Sequence, residues 1–424
     1  MDLIIRRARI RGRTGKKFDI GVDGNRIARI DERIPEKTGV EIDADGKMVA
    51  PGFINMHFHL DSALTLGQPH FNQSGTLLEG ISIWEERRKN LSEEEMLKRI
   101  EKAIQWFVLY GTTFVRTHAD TTERTLTTVK TLLKAKKIFR DMMDIQVTAF
   151  PQDGILTSQG NAELLEKSLE IGADNVGMIP HNEYTRKDGV KSVELAFELA
   201  EKYDRDIDGH VDETDDPNSR FLEVVAAQTI KHHMEGRVAA GHATAMGSYD
   251  NAYAYKLFGI LKRAGVTIVP NPLINVCLQG RFDTYPKRRG FTRVKELLQS
   301  NINVCLGHDC IMDPWYSLGI GDMLQVLFMA VHLAQLTGYE ELMKAMDMIT
   351  INAAKALRLN DYGIEEGKSA NMLILNAHND LDALRLLGPP SWVIRNGKII
   401  SSSVSGKSIL YRNGREIEVP LFSD

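Results

Sequence analysis

The run Val49-Ala50-Pro51-Gly52-Phe53-Ile54-Asn55-Met56-His57-Phe58-His59-Leu60-Asp61 sets the pattern for the whole chain. Phe53 to His59 reads as a short buried strand. Side chains alternate along a strand, so His57 and His59 leave it on the same face. Two imidazoles side by side at a strand end suit one divalent metal ion. A bare His-x-His pair is more often two unrelated histidines. Here it follows Pro-Gly and an apolar run and precedes a long polar loop, which favours the metal reading if the other ligands arrive from elsewhere.

Downstream, short apolar runs alternate with helical stretches. The runs are residues 113–118, 145–150, 176–180, 207–211, 237–242, 266–270 and 302–309. Helical patterns fill the gaps, as at 93–109, 125–135, 192–202 and 251–263. With the His57 strand this predicts eight βα units, an α/β chain folded as a TIM-like (β/α)8 barrel over 51–365. The two ends read differently. Phe18, Ile20 and Val22 alternate, and Asn396-Gly397 separates two apolar runs, a strong hairpin signal. Residues 1–50 and 366–424 are expected to form together one small, discontinuous β-sandwich domain.

Composition narrows the class. Of 424 residues, 43% are apolar and 26% charged, with a net charge of −4, so neither nucleic acid nor an anionic membrane is an expected partner. Cys277, Cys305 and Cys310 are odd in number and lack C-x-x-C spacing, which argues against a disulfide framework or a structural zinc site. Arg6, Arg7 and Arg9 are not followed by an apolar segment, so no signal peptide is read. The apolar run 323–336 is too short to span a bilayer and contains Gln325, His332 and Gln335. The cytoplasm is the expected location.

In a barrel of this kind the active site lies at the C-terminal ends of the strands. There the sequence places His57 and His59, His118 and Asp120, Gln152, His181, His210 to Glu213, His242, and His308-Asp309-Cys310. His57, His59 and His210 with Asp309 form a donor set for one ion, Fe²⁺ or Zn²⁺, with a position left for water. Such an ion acidifies its water, and Asp309 can touch both. Glu213, three residues past His210, is suited to general acid–base work. His242 can hold or polarise the attacked centre. His118 and Asp120 are expected to support the rim by hydrogen bonds. His181 reads as loop packing or support. His308 alternates with Asp309 and is expected to face away from the axis. The basic run 287–289 reads as a solvated or subunit-facing loop.

On these residues the chain resembles the amidohydrolase superfamily and, within it, the bacterial cytosine deaminases. Pro51-Gly52-Phe53 before His57-x-His59 and Thr350-Ile351-Asn352-Ala353-Ala354-Lys355-Ala356-Leu357 carry the broader likeness. The narrower one rests on Phe71-Asn72-Gln73-Ser74-Gly75-Thr76-Leu77, Phe150-Pro151-Gln152, His210-x-Asp212-Glu213, Leu278-Gln279-Gly280-Arg281-Phe282-Asp283 and Asp313-Pro314-Trp315-Tyr316. The resemblance implies metal-dependent hydrolytic deamination of a cytosine-type base (cytosine, 5-methylcytosine or 5-fluorocytosine), with activated water adding at C4. It implies His57, His59, His210 and Asp309 as ligands of one divalent ion per subunit. It implies Glu213 as the proton shuttle to N3, His242 assisting attack, Gln152 and the backbone near Leu77 holding the base, and Trp315 closing the pocket. A homo-oligomer is expected.

The chain departs from that pattern at one position. The family places an acid directly after the last ligand, and here that residue is Cys310. If it faces the base near C5, a neutral thiol leaves more room and removes a charge. Acceptance of 5-substituted cytosines is therefore expected. Deaminases of isoguanine, creatinine or a pterin stay open as alternatives, as does a cyclic-amide hydrolase. The absence of lysine from 176–180 speaks against a second metal bridged by a modified lysine. The intact ligand set disfavours a non-catalytic scaffold.

Overall fold

The strand-forming runs fold as strands in the computed structural model, which describes residues 1–13, 15–404, 409–412 and 415–418. Ahead of the barrel come β1 (Leu3–Ile10), β2 (Phe18–Asp23), β3 (Arg26–Asp31), β4 (Glu41–Asp43) and β5 (Met48–Pro51). The barrel strands are β6 (Phe53–Phe58), β7 (Thr112–Asp120), β8 (Asp144–Phe150), β9 (Asn175–Val176), β10 (Asp206–Val211), β11 (Val238–His242) and β12 (Thr267–Val269). After it follow β13 (Met372–Ile374), β14 (Trp392–Arg395) and β15 (Lys398–Ser402).

β6 to β12 lie side by side in chain order, each parallel to the next. The barrel helices include α1 (Leu77–Arg88), α2 (Glu93–Leu109), α3 (Thr127–Ile138), α4 (Asn161–Glu170), α5 (Arg186–Tyr203), α6 (Phe221–Lys231), α7 (Asn251–Ala264) and α8 (Pro272–Leu278). α2 shows why they form. The Ser92 side chain accepts from the Glu95 N–H, and Glu93, Glu94 and Glu95 stand at the positive end of the helix dipole. Met96, Ile100, Ala103, Ile104 and Phe107 recur at helical spacing and are buried in the barrel's outer core.

The eighth strand differs from expectation. Residues 302–309 form no continuous ladder; they bridge β12 at Val304 and β6 at Asp309. Asp309 N donates to His57 O at 2.9 Å and His59 N donates to Asp309 O at 2.9 Å. The barrel thus nearly closes, and those bonds hold the last ligand against the first pair. β9 is also short; past it Gly177 N still donates to Ala149 O and Met178 O accepts from His210 N, and a 3₁₀ turn, Pro180–Asn182, follows.

The chain ends share one mixed sheet of eight strands in the order β15-β14-β13-β5-β1-β2-β3, with β4 also on β1. Backbone bonds between Ile27 and the segment 367–368 bring β3 back toward the approach to β13. The sheet therefore curls around its own core of Ile5, Ile20, Val22, Met372 and Ile394. Residues 405–408, 413–414 and 419–424 of the expected terminal domain lie outside the described residues. Among those described, no helix is long and apolar enough to cross a membrane; the run at 323–336 holds the helix Met323–Ala334.

Candidate metal centre and active site

β6, β10 and the 302–309 segment bring His57, His59, His210 and Asp309 to one point. His57 Nε2 and His59 Nε2 lie 3.2 and 3.0 Å from His210 Nε2. Asp309 Oδ1 lies 3.3 Å from His57 Nε2 and 3.6 Å from His59 Nε2. With ligand bonds of about 2.1 Å, two donors to one ion stand at most about 4.2 Å apart, and these four separations all fall within that reach. Burial lowers His57 to a pKa of about 3 and His59 to about 4, and pushes His210 well down, so the rings are neutral and offer lone pairs. Asp309 Oδ1 is buried with no hydrogen-bond partner. Lone pairs and a carboxylate converging at these distances fit a divalent cation.

Two glycines make room for His57. A Cβ on Gly241 of β11 would stand 2.9 Å from His57 Nδ1, and one on Gly307 would stand 2.5 Å from His57 Cβ and 2.3 Å from Asn271 Oδ1. Gly307→Ala is expected to cost about 1–3 kcal/mol of stability and to lower metal content, read by denaturant unfolding and metal analysis of the purified variant. Native metal content would show that the strand absorbs the methyl group without moving the ligand.

Glu213 Oε1 lies 3.2 Å from His242 Nδ1. Glu213, His242 and Asp309 form a second cluster beside the first. Burial and the nearby Asp309 carboxylate hold the Glu213 carboxyl well above the usual range. The loop that carries it is fixed by Asp212, which accepts from Ser219 Oγ, Phe221 N, Leu222 N and Tyr249 OH. His242 is held by amides from β12's exit, Asn275 Nδ2 at 2.9 Å and Asn271 Nδ2 at 3.3 Å. Asp212 stands in the His210-x-Asp212-Glu213 string, but Asn271 and Asn275 were not singled out from the sequence, since a lone Asn carries no local signature. Asp212, His242 and Asp309 all have positive φ, at 55°, 65° and 67°. Non-glycine residues rarely adopt that conformation, and here it bends the chain at the strand ends where the functional side chains stand.

A narrow cavity opens above the cluster. His59, His210, Asp309, Glu213 and His242 line it together with Gln152, Leu77, Cys310 and Trp315. Every residue named from the sequence as a ligand, proton carrier or base contact lies at this cavity except His57, which sits beneath it in the ligand set. Burial pushes the Cys310 thiol up, so it is neutral, and it sits beside the buried Asp313 carboxylate. Asp313 is itself held by Ser62 Oγ and by the Trp315 and Tyr316 N–H groups. Trp315 packs on α1 where a Cβ at Gly80 would meet its ring at 2.4 Å.

The supporting residues divide. Asp120 accepts from Trp84 Nε1 at 2.9 Å and Arg88 Nη1 at 3.0 Å, as a rim support should. His118 is buried against the His57 and His59 rings, with Nε2 3.5 Å from Asp208 Oδ2. Asp208, which sequence reasoning missed, is fully buried below the ligands and is pushed up to about 7 by that burial. His308 faces away from the ligands, between Phe58 and Phe107, and bonds to Cys310 O. The 287–289 run is exposed, with Arg288 paired to Asp283 and reaching Asp215 O and Arg289 reaching Leu333 O along the surface.

The model of the amidohydrolase family matches residues 40–91 and 87–400. The chain is similar to the 5-methylcytosine deaminase of Klebsiella pneumoniae, whose structure liganded with 5-fluorocytosine superposes with a TM-score of 0.93 at 43% identity, covering 95% of this chain and 98% of that one. It is 32% identical to the N-isopropylammelide isopropyl amidohydrolase of Pseudomonas sp. strain ADP, over 94% of this chain and 97% of that protein. It is 27% identical to a pterin deaminase of Rhizobium rhizogenes, over 84% of this chain and 81% of that protein.

Proposed function

The chain belongs to the amidohydrolase family and is a hydrolase of C–N bonds, and on that premise we propose that it deaminates a cytosine-type base, cytosine or a 5-substituted cytosine, to the uracil-type ring and ammonia. The observation that carries this reading is the shared lining of one cavity by His59, His210 and Asp309 of the ligand set, the Glu213–His242 pair, and Gln152, Leu77, Cys310 and Trp315. The similarity to a 5-methylcytosine deaminase supports the choice of ring.

His57, His59, His210 and Asp309 hold the ion, and three imidazoles with one carboxylate suit iron(II) and zinc(II) alike. When bound, the ion supplies the Lewis acidity that makes a water molecule nucleophilic near neutral pH. Asp309 is placed to take the proton that a water molecule would give up as its oxygen bonds to C4. Glu213, whose raised pKa keeps the protonated form within reach, would give its proton to N3, take the proton of the new C4 hydroxyl and pass it to the amino group, and the proton held by Asp309 would then restore Glu213. Ammonia departs and the C4 carbonyl forms, so one water enters for each ammonia released. His242 holds Glu213 in register and orders the attacked face. Gln152 and the backbone at Leu77 grip the amide-like edge, and Trp315 keeps bulk water out.

Ammonia release by metal-loaded protein tests the reading, with cytosine, 5-methylcytosine, isoguanine and creatinine offered in parallel. Release from either cytosine is expected; release from neither, with metal bound, overturns it. The relatives that act on other ring types are the reason for the last two substrates. Cys310 sets the preference at C5. Cys310→Asp is expected to lower the 5-methylcytosine to cytosine ratio of kcat/KM by about 10-fold or more, the usual worth of one methyl group in a pocket. An unchanged ratio would mean that the thiol does not face C5.

A further inference from the structure

His181 has no part in the scheme above, yet it lines the same cavity. It stands in the 3₁₀ turn Pro180–Asn182 that follows β9. The turn is docked on the neighbouring strand end: Asn182 Nδ2 approaches Gln152 O at 3.5 Å. His181 and Gln152 therefore belong to one wall of the cavity, across the barrel from Cys310. Among the described residues the ring has no hydrogen-bond partner, and its Nδ1 is buried.

Burial lowers the His181 pKa to about 4, so at neutral pH the ring carries a single N–H. A proton on Nδ1 would bury an unsatisfied donor, which costs about 1–3 kcal/mol. A proton on Nε2 buries only a lone pair and leaves the donor for the cavity. Once C4 and N3 of a cytosine are served by Glu213, His242 and the ligand set, its remaining acceptor is the C2 carbonyl. That oxygen has two lone pairs and takes two donors. The Gln152 amide can supply one.

We propose that His181 Nε2–H supplies the other, making His181 the residue that selects rings with a carbonyl at C2. This rests on the cytosine-type substrate proposed above. It explains a half-buried imidazole whose buried Nδ1 has no partner, and it gives the wall beside Gln152 a donor that an apolar side chain would lack. The same wall would discriminate against rings without the 2-oxo group, because the two donors would then stay unpaired.

Equilibrium binding to metal-loaded protein tests it, with uracil and 4(3H)-pyrimidinone, the same ring without the 2-oxo group, as probes. In the native chain uracil is expected to bind more tightly. His181→Phe should shrink that preference about 10-fold, as expected for one buried hydrogen bond, and His181→Gln should restore part of it. His181→Leu replaces the Phe variant if that one does not fold. In turnover the loss should fall on KM for cytosine, with kcat nearly unchanged. A uracil preference that stays the same in the apolar variants overturns the proposal. Native protein that binds uracil but releases ammonia from neither cytosine overturns only the assigned reaction. Failure to bind uracil at all overturns both.

Discussion

Glu213→Gln lowers kcat by about 10²–10⁴-fold, the usual worth of a positioned acid–base group, and leaves the chain's metal content unchanged. The two readouts together isolate proton transfer. Glu213 lies outside the four-atom donor set but within the second cluster, with Oε1 3.2 Å from His242 Nδ1. An amide keeps the shape and the contact with His242 and cannot carry a proton. Burial, and beside it Asp309, raises the native carboxyl, so its protonated form persists to higher pH than that of an exposed glutamate. The protonated form, able to donate to N3, is lost as pH rises through that raised pKa. The glutamine variant should therefore lack the corresponding limb in its residual pH profile. Activity within about tenfold of native would move the shuttle elsewhere, with His242 the next group in reach.

The barrel and its rim were legible because both leave periodic or local marks. Short apolar runs spaced by helical patterns predict β6 to β12 with their ends within a few residues, and many of the polar residues that end those runs, His59, Gln152, His181, His210, Glu213, His242 and Asp309, line the cavity. His57 and His59 alternate on one strand, a pattern that depends on nothing outside the segment. What could not be read depends on contacts between distant segments. Asn271 and Asn275 hold His242 from across β12 and α8, and neither is marked by its neighbours in sequence. Gly241 and Gly307 look like ordinary strand glycines until His57 is placed against them. The eighth strand is reduced to bridges at Val304 and Asp309, and Asp309 has a positive φ, a conformation that side-chain periodicity does not encode. The rim supports show the same divide. Asp120 bonds to Trp84 and Arg88 as expected, but Asp208 sits one layer below the ligands and shows its role only through its burial beneath His57 and His118.

His210→Ala abolishes stoichiometric metal binding and lowers deaminase activity by on the order of 10³-fold or more, since the ion is what brings the pKa of water from about 15.7 toward 7. His210 is the hub of the donor set: its Nε2 is within 3.2 Å of His57 Nε2 and within 3.0 Å of His59 Nε2. Without it two imidazoles and one carboxylate remain, arriving from β6 and the 302–309 segment alone, and the β10 side of the tetrahedron is open. The effect should also appear without any assay of turnover. A ligand that binds only the folded chain stabilises it by about 4 kcal/mol when present at 1,000 times its Kd. Adding zinc or iron to metal-stripped native protein should raise the unfolding temperature, and the same addition to the His210→Ala variant should not. His210 also stacks on Phe150 with ring centroids 4.0 Å apart, so its loss lowers the metal-free baseline through packing alone. His210→Asn separates the two causes, because it keeps more of the side-chain volume but offers no imidazole. A metal-dependent rise in that variant equal to the native one would show that the ion is held without β10, and the donor set would have to be redrawn around Glu213, His242 and Asp309, the second group of the same cavity.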